Sequence, residues 1–244
     1  NTAGAASIDN CTKCPVETTS FPGSKTLAAC WCLSGYEGLG GSDCVQCQPG
    51  SFKLLEGSFS CSNCHVGTYS SAYGSTFCSL CPNGTFSDAI GASDSKNCIK
   101  CPVNSTSNLG SSLISNCTCT SGYGSNQSRC LACESGKYKS QIGNSGCQEC
   151  PAGTYSSATA QSNLCVDCPL NSISPPHSYS GSDCYCKPGF TGSSAENCTA
   201  CPPGRYKKLI GTLPCVSCSQ GTYSSSTAAD ICIGCYAGTY SLMT

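Results

Sequence analysis

Apolar residues along this 244-residue chain are scattered in short runs, and no window keeps a 3.6-residue period. The pattern therefore predicts short irregular strands and turns with essentially no helix. What does repeat is the place of the apolar residue relative to cysteine. Phe52, Tyr69, Phe86, Tyr138, Tyr155, Tyr206, Tyr223 and Tyr240 each stand five residues after a cysteine. Two residues before each aromatic comes a glycine: Gly50, Gly67, Gly84, Gly136, Gly153, Gly204, Gly221 and Gly238. Residues 61–81 show the whole unit, two close-set cysteine pairs bracketing one small polar loop. The hydrophobic pattern describes a repeat rather than a single core.

Composition explains why. The 28 cysteines make up about 11% of the chain, a level that marks a disulfide scaffold. Burying the one aromatic of a loop contributes only about 1.5–3 kcal/mol. A disulfide closing about 15 residues contributes roughly 3 kcal/mol by the chain-entropy argument. Each module must then lean on the next, which is the quasi-one-dimensional logic of a solenoid. The expected fold class is small disulfide-rich repeats, an elongated rod of short irregular β and turn modules.

The cysteines form fourteen doublets, eleven spaced Cys-x-x-Cys and three Cys-x-Cys. Long segments at 11–43, 98–129 and 165–197 contain the Cys-x-Cys doublets Cys30/Cys32, Cys117/Cys119 and Cys184/Cys186. Each is followed by a segment with basic residues beside the aromatic: Lys53; Lys137 and Lys139; Arg205, Lys207 and Lys208. A third type carries Gly-Thr-Tyr-Ser-Ser at 67–71, 153–157 and 221–225. This gives a lead-in at 1–10, cycle one at 11–97 with an extra loop, cycle two at 98–164, cycle three at 165–231, and the start of a further, incomplete module at 232–244.

Parity constrains the pairing. Five doublets run from Cys11 to the one before Cys98, but only four from Cys98 to the one before Cys165. Joining doublets two by two would give equivalent cycle-opening motifs opposite connectivity. Joining the second Cys of each doublet to the first of the next avoids this, with Cys14 to Cys30, Cys32 to Cys44, Cys47 to Cys61, Cys64 to Cys78, Cys81 to Cys98, Cys101 to Cys117 and Cys119 to Cys130. It continues with Cys133 to Cys147, Cys150 to Cys165, Cys168 to Cys184, Cys186 to Cys198, Cys201 to Cys215 and Cys218 to Cys232. Cys11 and Cys235 are left without a partner in the chain, as in an excerpt of a longer array or a subunit completed by another copy.

The net charge of −1, with 10% charged residues, argues against a nucleic-acid footprint and a polybasic membrane segment. Six Asn-x-Ser/Thr sequons, at Asn10, Asn83, Asn104, Asn116, Asn126 and Asn197, join the even cysteine count in pointing to an oxidising, extracellular compartment. No signal peptide or membrane span is visible in these residues. The Cys-x-x-Cys doublets have zinc-like spacing, but fourteen in succession beside sequons fit disulfides better. A redox role would need a βαβ context that is missing here. His65 and His177, the only histidines, stand in polar surface segments without an acid or nucleophile arranged around them. No metal, cofactor or catalytic residue is expected. The repeated aromatics are read as a miniature core against each bridge, and the basic residues as a solvated face.

Three motifs carry a resemblance. Cys101-Pro-Val-Asn-Ser-Thr-Ser and Cys168-Pro-Leu-Asn-Ser-Ile-Ser open long loops, Cys-x-Cys-x-x-Gly-Tyr/Phe turns follow them, and Cys150 begins Cys-Pro-Ala-Gly-Thr-Tyr-Ser-Ser. They resemble the ephrin-receptor-like cysteine-rich repeats and, more distantly, tumour-necrosis-factor-receptor-like and EGF-like modules. Cycle one departs, with Glu17 where the others have Asn104 and Asn171. The resemblance specifies a module and implies receptors, matrix proteins or surface proteins.

The resulting expectation is a non-enzymatic extracellular structural glycoprotein, a stalk, spacer or fibre subunit, whose partners are copies of itself or flanking repeats, with N-linked and possible O-linked glycans. The alternatives are a receptor or adhesion ectodomain that binds a protein ligand, and a non-catalytic part of a larger secreted enzyme. A ligand site should appear as one irregular module. Trp31 and the Phe59, Tyr73, Phe77 cluster are the main irregularities.

Overall fold

The computed structural model describes residues 7–41, 43–127 and 129–242. Each module is a small antiparallel strand pair whose two strands are joined by a polar loop that a disulfide closes. In the module opened by Cys64, Thr68–Tyr69 pairs with Ser79–Leu80 in the register Thr68 to Leu80 and Tyr69 to Ser79. Equivalent two-residue pairings recur, as in Ser51–Phe52 with Ser62–Asn63 and Thr154–Tyr155 with Val166–Asp167. The longest pairing, Tyr123–Asn126 with Arg129–Ala132, spans the shortest loop, Cys119 to Cys130. A two-stranded ribbon this short is not stable alone. Thirteen disulfides close the loops, each joining the second Cys of one doublet to the first of the next, with Cα atoms 5.3 to 5.8 Å apart.

Among the described residues helical structure is limited to six three-residue 3-10 turns. The four longest loops each end in one, immediately before the closing cysteine, at Leu27–Ala29, Ser95–Asn97, Ile114–Asn116 and Gly181–Asp183. The same turn, Ala195–Asn197, precedes Cys198 at the end of a short loop, so it sets the approach to the bridge rather than absorbing loop length. Side chains cap it. Asp94 Oδ1 accepts from Lys96 N at 2.8 Å while Asn97 Oδ1 accepts from Asp94 N at 3.0 Å, a reciprocal capping box. The Lys96 backbone N–H in turn holds the Asp94 carboxyl below its ordinary pKa.

Contacts gather the chain into two compact units, Asn1–Thr118 and Cys119–Thr244. Inside each unit most steps from module to module use the same backbone hydrogen bonds, while the modules opened by Cys14 and Cys168 keep only one of the kind among the described residues, Leu33 N to Glu17 O and Lys187 N to Asn171 O. In the first unit Gly50 N donates to Ser70 O at 2.8 Å, Cys64 N to Gly50 O at 2.8 Å, Gly74 N to Cys47 O at 2.8 Å and Lys53 N to Ser75 O at 3.0 Å. In the second unit Gly136 N to Ser156 O, Cys150 N to Gly136 O, Ala160 N to Cys133 O and Lys139 N to Gln161 O repeat the set. The stacking also reaches two modules along. A Cβ placed on Gly67, whose φ is +80°, would lie 2.2 Å from the carbonyl oxygen of Gly110. The glycine three residues after the cysteine is thus required both by its left-handed backbone and by this close approach.

The core is a line of sulfur rather than of rings. Cys32, Cys47, Cys64, Cys81, Cys119, Cys133, Cys150, Cys186 and Cys201 are 0–1% exposed, whereas of the repeated aromatics only Phe86 is buried. Tyr69, Tyr138, Tyr155 and Tyr206 are half-buried and Tyr240 is exposed. The expectation of one aromatic miniature core per module is corrected accordingly: the two-residue strands are too short to cover a ring, so most of the repeated rings stay half-buried while the bridges form the buried line.

Glu17 occupies the glycine position of its module at a φ of 65°, and its carbonyl accepts from Leu33 N at 3.0 Å. A left-handed conformation costs a side-chain-bearing residue about 1–2 kcal/mol, less for asparagine. Glu17→Gly is therefore expected to stabilise the first module by about 1 kcal/mol, read as several-fold slower hydrogen exchange at the Leu33 amide. Faster exchange in the variant would show that the Glu17 side chain holds the turn in some other way.

Candidate functional site

The residue six after the opening cysteine is buried in most modules. In most modules this residue is serine, as at Ser70, Ser87, Ser107, Ser156, Ser174 and Ser224, all buried. Ser107 Oγ donates to Thr85 O at 2.7 Å and Ser174 Oγ to Thr154 O at 2.9 Å, while Ser87 Oγ is buried with no hydrogen-bond partner among the described residues. In three modules the residue is lysine: Lys53, Lys139 and Lys207 are 2–3% exposed. Each follows one of the modules opened by Cys32, Cys119 or Cys186, whose loops are the shortest. The lysine reaches into the space that the short loop leaves.

There its ammonium sits in a cage of backbone carbonyls. Lys139 Nζ donates to Tyr123 O at 2.9 Å, Gly143 O at 2.6 Å and Cys119 O at 3.2 Å, with Thr120 O at 3.4 Å. Lys207 Nζ donates to Phe190 O at 2.7 Å, Cys186 O at 3.4 Å and Gly211 O. Lys53 Nζ donates to Tyr36 O at 2.6 Å and to Gly57 O, and lies 4.7 Å from the centre of the Phe59 ring. Burial pushes the pKa of all three lysines down; at Lys53 the Glu37 carboxylate opposes the shift. These side chains pin a module to the short module before it and are not the solvated face that their charge suggests. Lys137 and Arg205 do lie nearer the surface, Lys137 beside Glu134 at 3.7 Å and Arg205 donating to Cys215 O at 3.3 Å.

The irregular aromatics of cycle one separate in the structure. Trp31 meets the Phe21 ring edge-on at 4.4 Å, and Phe59 faces Lys53. Tyr73 and Phe77, 62% and 68% exposed, line one groove of about 350 Å³ that Phe59 does not border.

His65 is exposed, and His177 Nδ1 stands 3.8 Å from Glu149 Oε1 on the surface. Among the described residues no group of three or more His, Cys, Asp or Glu is placed to hold a metal ion. Cys11 is exposed and Cys235 half-buried, both with free thiols. Several sequon asparagines have a local structural use that sequence reading missed. Asn10 Oδ1 accepts from Ser7 N at 3.0 Å and Asn116 Oδ1 from Leu113 N at 2.9 Å, while Asn197 Nδ2 donates to Ser194 Oγ at 3.3 Å. Their place directly before the first cysteine of a doublet, shared with Asn97 and Asp183, is the signal that could have shown it. Asn104 takes the left-handed turn position at φ 63°. Asn83 and Asn126 are exposed, and Ser128 of the Asn126 sequon lies outside the described residues.

Comparison with curated proteins gives no match. The family described as tyrosine-protein kinase ephrin type A/B receptor-like matches residues 56–98, 67–117, 121–160 and 189–231, more than half of the chain. With its repeated hairpins, loop-closing bridges and regular inter-module hydrogen bonds, the chain belongs to the ephrin type A/B receptor-like family of cysteine-rich repeats.

Proposed function

We propose that this chain is an extracellular structural glycoprotein, a stalk, spacer or subunit of a surface fibre. The observation that carries the reading is the repetition of one set of inter-module hydrogen bonds at successive steps within each unit. A surface built to read one ligand departs from its neighbours at a central cluster, whereas these backbone contacts recur at most steps, and the two modules that keep fewer of them, opened by Cys14 and Cys168, are themselves equivalent positions of the repeat. Modules of this family are non-catalytic, and thirteen disulfides suit an oxidising compartment. The partners in this reading are further copies of the chain or flanking repeats of the same kind, reached in part through the free thiols of Cys11 and Cys235, with glycans at accessible sequons.

The family match equally supports a receptor-type ectodomain that binds a protein ligand. Negative-stain imaging of native material separates the two. Continuous filaments are the expected result. Separate particles at native concentration would overturn the fibre reading and favour the receptor-type one.

A further inference from the structure

The groove beside Tyr73 and Phe77 has a composition that the scaffold does not need. Both rings stand largely in water, and both positions are particular to this module. Among the modules with the same loop length, the residues nine and thirteen after the opening cysteine are Glu56 and Ser60, Ile142 and Gly146, Ile210 and Pro214, and Thr227 and Ile231. Only the loop closed by Cys64 and Cys78 places an aromatic at both.

The loop between them is held in shape. Ser70 Oγ donates to Ser75 Oγ at 2.6 Å, Ser75 Oγ donates to Ala72 O at 2.9 Å, and Gly74 N donates to Cys47 O at 2.8 Å. Ser71, Thr76 and Ser79 also line the groove, and their hydroxyls have no hydrogen-bond partner within the described residues. None of the lining residues carries a charge. The volume of about 350 Å³ falls within the usual range of small-ligand sites.

Charge and polarity select the ligand class. With no cation in the wall, a phosphate, sulfate or carboxylate would lose its hydration without a paired charge. A purely apolar ligand would leave a floor of serine and threonine hydroxyls unmatched. A ligand with one face of polarised C–H groups and an edge of hydroxyls satisfies both parts of the wall, because the face of an aromatic ring is electron-rich and attracts positively polarised hydrogens. We propose that this groove binds a neutral saccharide, its ring face against Tyr73 or Phe77 and its hydroxyls bonded by Ser71, Thr76 and Ser79. This assignment does not rest on the scaffold reading, since a fibre subunit and a receptor-type ectodomain could each carry such a site.

Saturation-transfer NMR on the full oxidised chain tests it, with maltose, lactose and N,N′-diacetylchitobiose as probes at millimolar concentration. Transfer to the ring protons of at least one probe is expected. Tyr73→Ser and Phe77→Ser should each weaken that binding at least fivefold, and Phe21→Ser, another exposed aromatic, should leave it unchanged. Amide shifts outside residues 70–79 check that each variant keeps its fold. Comparing samples before and after enzymatic removal of N-glycans identifies the source: binding that appears only after removal means a glycan of this chain fills the groove, and binding present in both means a free or foreign one does. No transfer from any of the three probes in deglycosylated protein, or transfer that both variants retain, would overturn the proposal.

Discussion

Lys139→Ala is expected to destabilise its module by about 3–5 kcal/mol, combining a cavity where the stem lay with carbonyls left without a donor. Lys139→Met, which refills the stem volume, should recover part of this and cost about 1–3 kcal/mol. The difference follows from which carbonyls have another donor. Cys119 O still accepts from Gly143 N and Thr120 O from Tyr123 N, so the lysine matters most at Tyr123 O and Gly143 O. The loss should appear as faster hydrogen exchange at Gly122, Gly136 and Gly143. A Lys139→Met variant as stable as the parent would mean that water replaces the ammonium in the cage at no cost.

The same cage sets a pH dependence. Burial lowers the pKa of Lys53, Lys139 and Lys207 in the folded chain, so the unfolded chain holds more protons between those lowered values and the ordinary lysine value of 10.5. Stability therefore rises as pH climbs through that window, and the penalty is fully present below it. Lys139→Met should flatten the rise by its share, measured by denaturant unfolding between about pH 8 and pH 10 with the free thiols of Cys11 and Cys235 blocked.

Removing one bridge should act locally and strongly. Cys64→Ala with Cys78→Ala opens a loop with a sequence separation of 14, and loss of a native disulfide from a small domain costs about 2–5 kcal/mol. Cys64 O accepts from Gly91 N, and Gly67 meets the Gly110 carbonyl, so the damage should extend one or two modules along and fade beyond. Hydrogen exchange should show lost protection from about residue 47 to residue 117, with modules of the second unit unchanged. Uniform loss over the whole chain would show a single cooperative body.

The module was legible because cysteine spacing, the glycine at +3 and the aromatic at +5 are local facts, and each has a single structural meaning. The pairing was legible because the doublets repeat with a parity that only loop closure respects. The lysine cages were not. Lys53, Lys139 and Lys207 sit in polar stretches, and a charge in such a stretch reads as solvated. Their burial depends on carbonyls of the preceding module, which no local pattern displays. The usable signal was relational: lysine replaces serine at the sixth position only after a Cys-x-Cys doublet and its short loop. The groove was legible in part, since Tyr73 and Phe77 stood out against the repeat. Phe59 was grouped with them on sequence proximity, yet the ammonium of Lys53 draws it elsewhere.

The bridges also decide how the chain answers a pulling force. Only one or two residues separate the end of one bridge from the start of the next, as with Ser62 and Asn63 between Cys61 and Cys64. Tension passes along those links and across the sulfur bonds, and the loops hang outside the loaded path. With bridges intact, Cys14 and Cys235 can be drawn only about 200 Å apart, against roughly 770 Å for the same stretch once reduced. The oxidised chain is thus a tether of nearly fixed maximum length, and reductant changes its reach almost fourfold without cutting a peptide bond.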